Sequence, residues 1–85
     1  MKYYCYILFS ERSDRYYIGS CSDLKARLLR LNAGATASTK SGRPWKLVYN
    51  EEFNDRSSAI RRENKIKQMK SRKYLVRLIG KAQEN

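Results

Sequence analysis

Two aromatic, β-branched runs with a polar break between them open this chain, and they restrict its fold more than anything that follows. Lys2 to Phe9 (KYYCYILF) and Tyr16 to Ser20 (YYIGS) are rich in side chains that fit a pleated surface, and Ser10 to Arg15 (SERSDR) between them is polar and turn-like. The pattern predicts an antiparallel hairpin. Side chains alternate faces along a strand, so Tyr4, Tyr6 and Leu8 share one face, as do Tyr17, Gly19 and Cys21 on the neighbour. Two phenols are thereby expected on one surface. Gly19 inside its strand marks a bulge or a place where something approaches the backbone closely.

After the hairpin the apolar spacing becomes helical. Ser22 or Asp23 is a candidate N-cap, Leu24, Leu28 and Leu31 follow on one stripe, and Asn32-Ala33-Gly34 is a stop. Residues 33–44 read as a polar loop of small residues closed by the chain's only proline, Pro44. Trp45 to Phe53 reads as a third strand, with Leu47 and Tyr49 alternating against Lys46 and Val48. Asn54 or Asp55 caps a second helix over Arg56 to Lys70, whose apolar positions are Ala59, Ile60, Ile66 and Met69. Ser71 caps a third, with Leu75, Leu78, Ile79 and Ala82 on one stripe. The order β-β-α-β-α-α predicts an α+β fold with helices laid over three strands, and 85 residues are one domain, 1–85.

Composition then narrows the partners. Lys and Arg number 19 against 8 Asp and Glu, a formal charge of +11. Such an excess seeks polyphosphate surfaces, nucleic acid or anionic lipid. From Arg56 to Lys81, ten basic residues face a single acid, Glu63, which points to nucleic acid. The exposed faces lack the Trp or Phe stripe of a membrane-surface helix. Histidine is absent, which removes Ser-His and Cys-His dyads and most zinc sites. Cys5 and Cys21 are too few for a disulfide framework and read as small, partly buried thiols in a reducing compartment. With no apolar run of membrane-spanning length and no signal-like segment, the expected location is the cytoplasm. A monomer is the expected state.

Two charged residues stand where apolar ones would be simpler. At about 100° per residue, Glu63 lies four after Ala59 and three before Ile66, inside the second helix's stripe. A carboxylate facing a core is costly unless paired, hydrogen-bonded or metal-bound. A salt bridge to a nearby arginine is the plain explanation. Arg27 sits likewise, three after Leu24 and four before Leu31, with Glu51 or Glu52 as structural partners. Together with two phenols and no histidine, these groups suit phosphodiester cleavage. A guanidinium neutralises growing phosphate charge, a carboxylate holds a divalent cation, and a phenol relays the proton of the attacking water.

Tyr4-Cys5-Tyr6 and Tyr17-Ile18-Gly19, with Tyr6 and Tyr17 eleven apart, resemble the two halves of the GIY-YIG nuclease motif. Asp23 to Leu28 (DLKARL) resembles the family's helix with its arginine. Pro44 to Tyr49, Glu51 to Phe53, and Ala59 to Lys67 are similar to the small stand-alone bacterial members, and the likeness runs from about Tyr3 to Ile79. The resemblance implies a three-stranded antiparallel sheet flanked by helices and an endonuclease using one divalent ion, Mg²⁺ or Mn²⁺, on DNA. It implies that Tyr6 assists as general base, Tyr17 hydrogen-bonds around the phosphate, Arg27 stabilises the pentavalent transition state and Glu63 ligates the metal. The expected substrate contacts are Gly19, which keeps the site open, and Lys40, Arg43, Arg62, Lys67 and Lys70. Leu31 stands where a family histidine commonly follows the arginine, and Ser38 where relatives often carry a tyrosine. These departures define the alternative, a GIY-YIG-type nucleic-acid-binding module with weak or no catalysis.

Overall fold

In the computed structural model, which describes residues 1–83, the expected hairpin is present; residues 84 and 85, the end of the expected domain, lie outside the described residues. Strands β1 (Tyr3–Ser10) and β2 (Arg15–Cys21) pair antiparallel. Their connection is held by the buried Ser10 hydroxyl, which accepts from the Ser13 backbone N–H (3.1 Å) and Ser13 hydroxyl (2.8 Å). Asp14 takes a positive φ of 54°, a conformation that Asp tolerates in turns. Strand β3 (Trp45–Phe53) pairs antiparallel with the other side of β1, giving the sheet order β2-β1-β3.

Helix α1 (Leu24–Asn32) starts at Asp23, whose carboxylate accepts the Ala26 N–H at 3.0 Å. Helix α3 (Arg56–Met69) starts at Asp55, which accepts from both the backbone and hydroxyl of Ser58. Helix α4 (Arg72–Gln83) starts at Ser71, whose hydroxyl accepts the Tyr74 N–H at 3.1 Å. Each cap satisfies a donor that the first helical turn leaves free. Between α3 and α4 the chain bends at Lys70, in the left-handed region with φ 46°.

The central strand β1 feeds two cores. On one face Tyr6 and Leu8 pack with Cys21, Leu31 and Trp45, covered by Leu24 and Leu28 of α1. On the other, Cys5 and Ile7 pack with Ile66 of α3 and Leu75 of α4, joined by Ile18 and Tyr49. Both cysteines are free and buried. No helix among the described residues is long and apolar enough to cross a membrane.

Three local expectations are corrected. The loop over 33–44 contains a single helical turn, α2 (Ala37–Lys40), because the Trp45 indole N–H donates to the Thr39 carbonyl at 2.8 Å and gathers the chain around the ring. Asn32 adds a two-way clasp on the Trp45 backbone, accepting its N–H (2.6 Å) and donating to its carbonyl (3.1 Å). In β3, Leu47 and Tyr49 do not share a face. The register slips between Ile7 and Leu8, which pair with Tyr49 and Leu47, so a bulge at Val48 turns Tyr49 to the α3 face. In α3, Ile60 and Met69 are 40% and 49% exposed, and only Ala59 and Ile66 are buried. Residues seven apart fall on nearly one line of a helix, so the contact with the sheet is narrow. Arg62 and Glu63 flank that line on its two sides.

Candidate active site

Register brings Tyr6 opposite Gly19. The Tyr6 ring lies over that glycine: a Cβ built there would stand 2.5 Å from the phenol oxygen and 2.7 Å from Cζ. Strand backbone any residue could adopt thus accepts only glycine, for reasons of space. Arg27, from the first turn of α1, donates from Nη1 to the Tyr6 Oη at 3.2 Å. Tyr17 stacks beside them, its ring centroid 6.4 Å from that of Tyr6 and 6.0 Å from that of Trp45. Tyr6, Tyr17, Gly19 and Arg27 are therefore one cluster. The plain structural partners for Arg27 are engaged elsewhere, Glu51 with Arg62 and Glu52 with Lys2.

Tyr6 is fully buried. Burial pushes its pKa up to about 12 against the opposing pull of the Arg27 charge, so at neutral pH it is a phenol that donates or accepts, not a phenolate. Burial also works against the Arg27 charge, but the Tyr6 oxygen it bonds, with Cys21 and Tyr17 beside it, raises the guanidinium pKa on balance. Beside Arg27 opens a cleft of about 320 Å³ that also includes Arg30 and Arg56. Neither was singled out by sequence. Arg30 had a signal, since residues three apart on a helix share a side. Arg56 did not, because only the tertiary fold brings the start of α3 to the start of α1.

Glu63 reaches the sheet from the opposite face. Its Oε1 accepts from the Ser20 hydroxyl at 2.7 Å, and Ser20 pairs with Cys5 on the α3 side. Its Oε2 accepts from Lys67 at 2.6 Å, and the side chain is 15% exposed. Its cationic partner is thus a lysine one turn along, not an arginine. The structure sets Glu63 against Ser20, one residue past Gly19, on the other side of β2 from the Tyr6–Arg27 pair. Among the described residues no group of three or more His, Cys, Asp or Glu forms a metal cage. A single oriented carboxylate still fits Mg²⁺ or Mn²⁺, since Mg²⁺ characteristically takes one or two carboxylates and completes its shell with water and substrate phosphate.

The profile of the GIY-YIG catalytic domain matches residues 2–75. The chain belongs to the GIY-YIG family. The UPF0213 protein of Staphylococcus haemolyticus is 39% identical over 79 residues, which cover 92% of this chain and 94% of that protein. That of Halobacterium salinarum is 43% identical over 61 residues, 69% of this chain and 79% of that one. The solution NMR structure of the UPF0213 protein BH0048 from Bacillus halodurans superposes with a TM-score of 0.59 at 30% identity, covering 94% of this chain and 84% of that chain. The α+β architecture in the order β-β-α-β-α-α is that of the family, and a nuclease-type function on nucleic acid follows from membership.

The remaining expected contacts of this GIY-YIG chain scatter. Arg62 is tied into the fold through one nitrogen: its Nε is shared between both oxygens of Glu51 (3.0 and 3.1 Å), with the Tyr49 hydroxyl donating to the same carboxylate, and both charged side chains are about three-quarters buried. That contact holds β3 to α3. Lys40 and Arg43 lie in the loop past the carboxyl end of α1, where Arg43 donates to the Lys40 carbonyl and packs under Gly34. Five residues of helix rise put that end ~7.5 Å along the axis from Arg27. Lys67 is on Glu63, and Lys70 is exposed at the α3–α4 bend. Leu31 is 3% exposed in the Tyr6 core, a packing residue.

Proposed function

We propose that this chain is a divalent-metal-dependent endonuclease that hydrolyses DNA phosphodiester bonds, with Tyr6, Tyr17, Arg27 and Glu63 acting on one scissile phosphate. The observation that carries this reading is the Arg27–Tyr6 contact over Gly19. It holds a guanidinium beside an open, cationic cleft and places a protonated phenol directly behind it. Water attacks phosphorus, the bond to the 3′ oxygen breaks and that oxygen takes up a proton, leaving a 5′-phosphate and a 3′-hydroxyl. Arg27 offers paired N–H donors to oxygens whose charge grows in the transition state. As the phosphate draws the guanidinium over, the Tyr6 hydroxyl is released to hydrogen-bond the attacking water, and Tyr17 completes the network. With its pKa near 12, Tyr6 relays a proton instead of storing one.

Glu63 would hold Mg²⁺ or Mn²⁺, oriented by Ser20. When bound, the ion supplies Lewis-acid polarisation of the phosphate and stabilises the leaving oxygen. Because β2 is an edge strand, a nucleic-acid strand lying along its rim meets Arg27 from one face and Glu63 from the other. Basic residues of α3 and α4 contact phosphates without reading bases. The protein acts as a monomer in the cytoplasm.

A nucleic-acid-binding module with weak catalysis is the second reading. It is favoured by Lys67, which occupies an oxygen of the carboxylate that the first reading assigns to the ion. Incubation with branched and single-stranded DNA plus Mg²⁺ or Mn²⁺ separates the two. The nuclease cuts, and Glu63→Ala and Arg27→Ala each lower the rate by about 100-fold or more. Binding that survives Glu63→Ala, with no cutting by the parent protein, establishes the module instead.

A further inference from the structure

We propose that the cavity between the β1–β2 hairpin, the end of α3 and the start of α4 receives one unpaired nucleotide of the bound strand, base inward and phosphate on the rim. The cavity measures about 340 Å³, within the range of small-molecule pockets, roughly 300–1,000 Å³. Its floor is apolar, formed by Ile18, Ile66 and Leu75 of the α3-side core. One wall is Tyr16, with the Arg72 guanidinium 5.2 Å over its ring. Aromatic rings and guanidinium planes are the two surfaces on which unpaired bases stack. Arg15, Lys67 and Lys70 line the cavity as well, while its one acid, Asp14, is paired with Arg72 at 2.6 Å.

Phosphates alone need only cations. An apolar floor within a cationic border fits a ligand with a flat, poorly hydrated body and an attached anion, which is a nucleotide. A base inside a duplex is stacked and paired and cannot enter, so the pocket selects unpaired positions. Lys67 links this pocket to the cleavage reading, on which the identity of the strand rests. Lys67 lines the cavity, and its ammonium group bonds Glu63 Oε2 at 2.6 Å. A phosphate seated on the rim competes for Lys67 and leaves Glu63 free for a cation, so an unpaired nucleotide in this pocket arms the carboxylate beside it.

The test is NMR of the full, ¹⁵N-labelled chain in EDTA. It is titrated with deoxyadenosine 5′-monophosphate, with deoxyadenosine, with inorganic phosphate, and with a short duplex carrying one unpaired adenosine or fully paired. The expected result is amide shifts at Ile18, Lys70 and Leu75 with the monophosphate, larger than with either half alone. The bulged duplex should bind about tenfold tighter than the paired one. Lys70→Glu should remove that preference, and Arg15→Glu, on the hairpin side, is the second variant. Equal affinity for the two duplexes, or shifts confined to the Arg27–Arg30 cleft, overturns the pocket. Cleavage in Mg²⁺ is read in parallel. Cutting without pocket shifts sinks the pocket and keeps the nuclease; pocket shifts and preference without cutting do the reverse.

Discussion

The Tyr6 ring occupies the volume that a side chain at Gly19 would need, and the two residues are directly paired across the β1–β2 ladder. The ring is fully buried in one cluster with Leu8, Leu31 and Trp45, so moving it disturbs that core. Gly19→Ala therefore displaces the phenol from Arg27 or splays the hairpin. A stability loss of about 1–3 kcal/mol by urea denaturation is expected, as for other overpacked interiors, together with loss of cleavage. Gly19→Ala at parental stability would contradict the geometry.

The Arg62–Glu51 pair gives a contrast between structural and nucleic-acid-facing cations. Arg62→Gln leaves Glu51 beside Tyr49 without its counter-charge, and a loss of about 1–3 kcal/mol is expected for a hydrogen bond to a charged group. Its DNA affinity should keep the parental slope of log K against log salt. Arg30→Gln, in the open cleft, should flatten that slope by about 0.9 with little change in stability. The reverse pattern would return Arg62 to the phosphate contacts.

Leu31→His, the substitution that restores the family's histidine, is expected to unfold more than it activates. Leu31 is packed against Tyr6, Leu8 and Trp45, so an imidazole there loses apolar burial and lacks a polar partner. A destabilisation of about 2 kcal/mol or more is expected, with no gain in cutting rate at temperatures where both proteins are folded. A rise in rate with unchanged denaturation midpoint would show that the site can accept the ring.

Alkaline pH should loosen the fold from both cores at once. Burial, with Glu51 and Glu63 adding to it, pushes the Cys5 thiol from 9.0 to about 12, and burial pushes the Tyr6 and Tyr49 phenols from 10.0 to about 12. A group with a raised folded pKa keeps its proton longer in the folded than in the unfolded chain. Its contribution is complete below the unfolded value and disappears as pH climbs toward the folded one. The urea midpoint should hold up to about pH 9 and fall between about 9 and 12. A midpoint that rises across that window would reverse the sign.

Much of this was legible in the residues because it is local. The hairpin, three helices, the cap at Ser71, those at Asp23 and Asp55 to within one residue, and two phenols on one surface beside a glycine follow from alternation, helical spacing and short-range hydrogen bonding. Sheet register was not legible. The Val48 bulge depends on how β3 meets Ile7 and Leu8, and it decided which face Tyr49 and its partner Glu51 serve. That in turn decided that Arg62 turns inward, which helical projection could not see. Glu63 stood out as a misplaced acid, and it is half-buried and bonded; its side of the sheet, opposite Arg27, required the packing of α3 on Ser20 and Cys5.

The strand that carries Tyr6 is flanked on both sides and faced on both surfaces. Its backbone offers no open ladder to a visiting chain, so any partner has to be met at the margins of the fold. Variation that retunes what this protein grips is thereby steered to the helix ends and the outer strand. The middle strand serves as a common keel, where a single altered residue is felt by both layers.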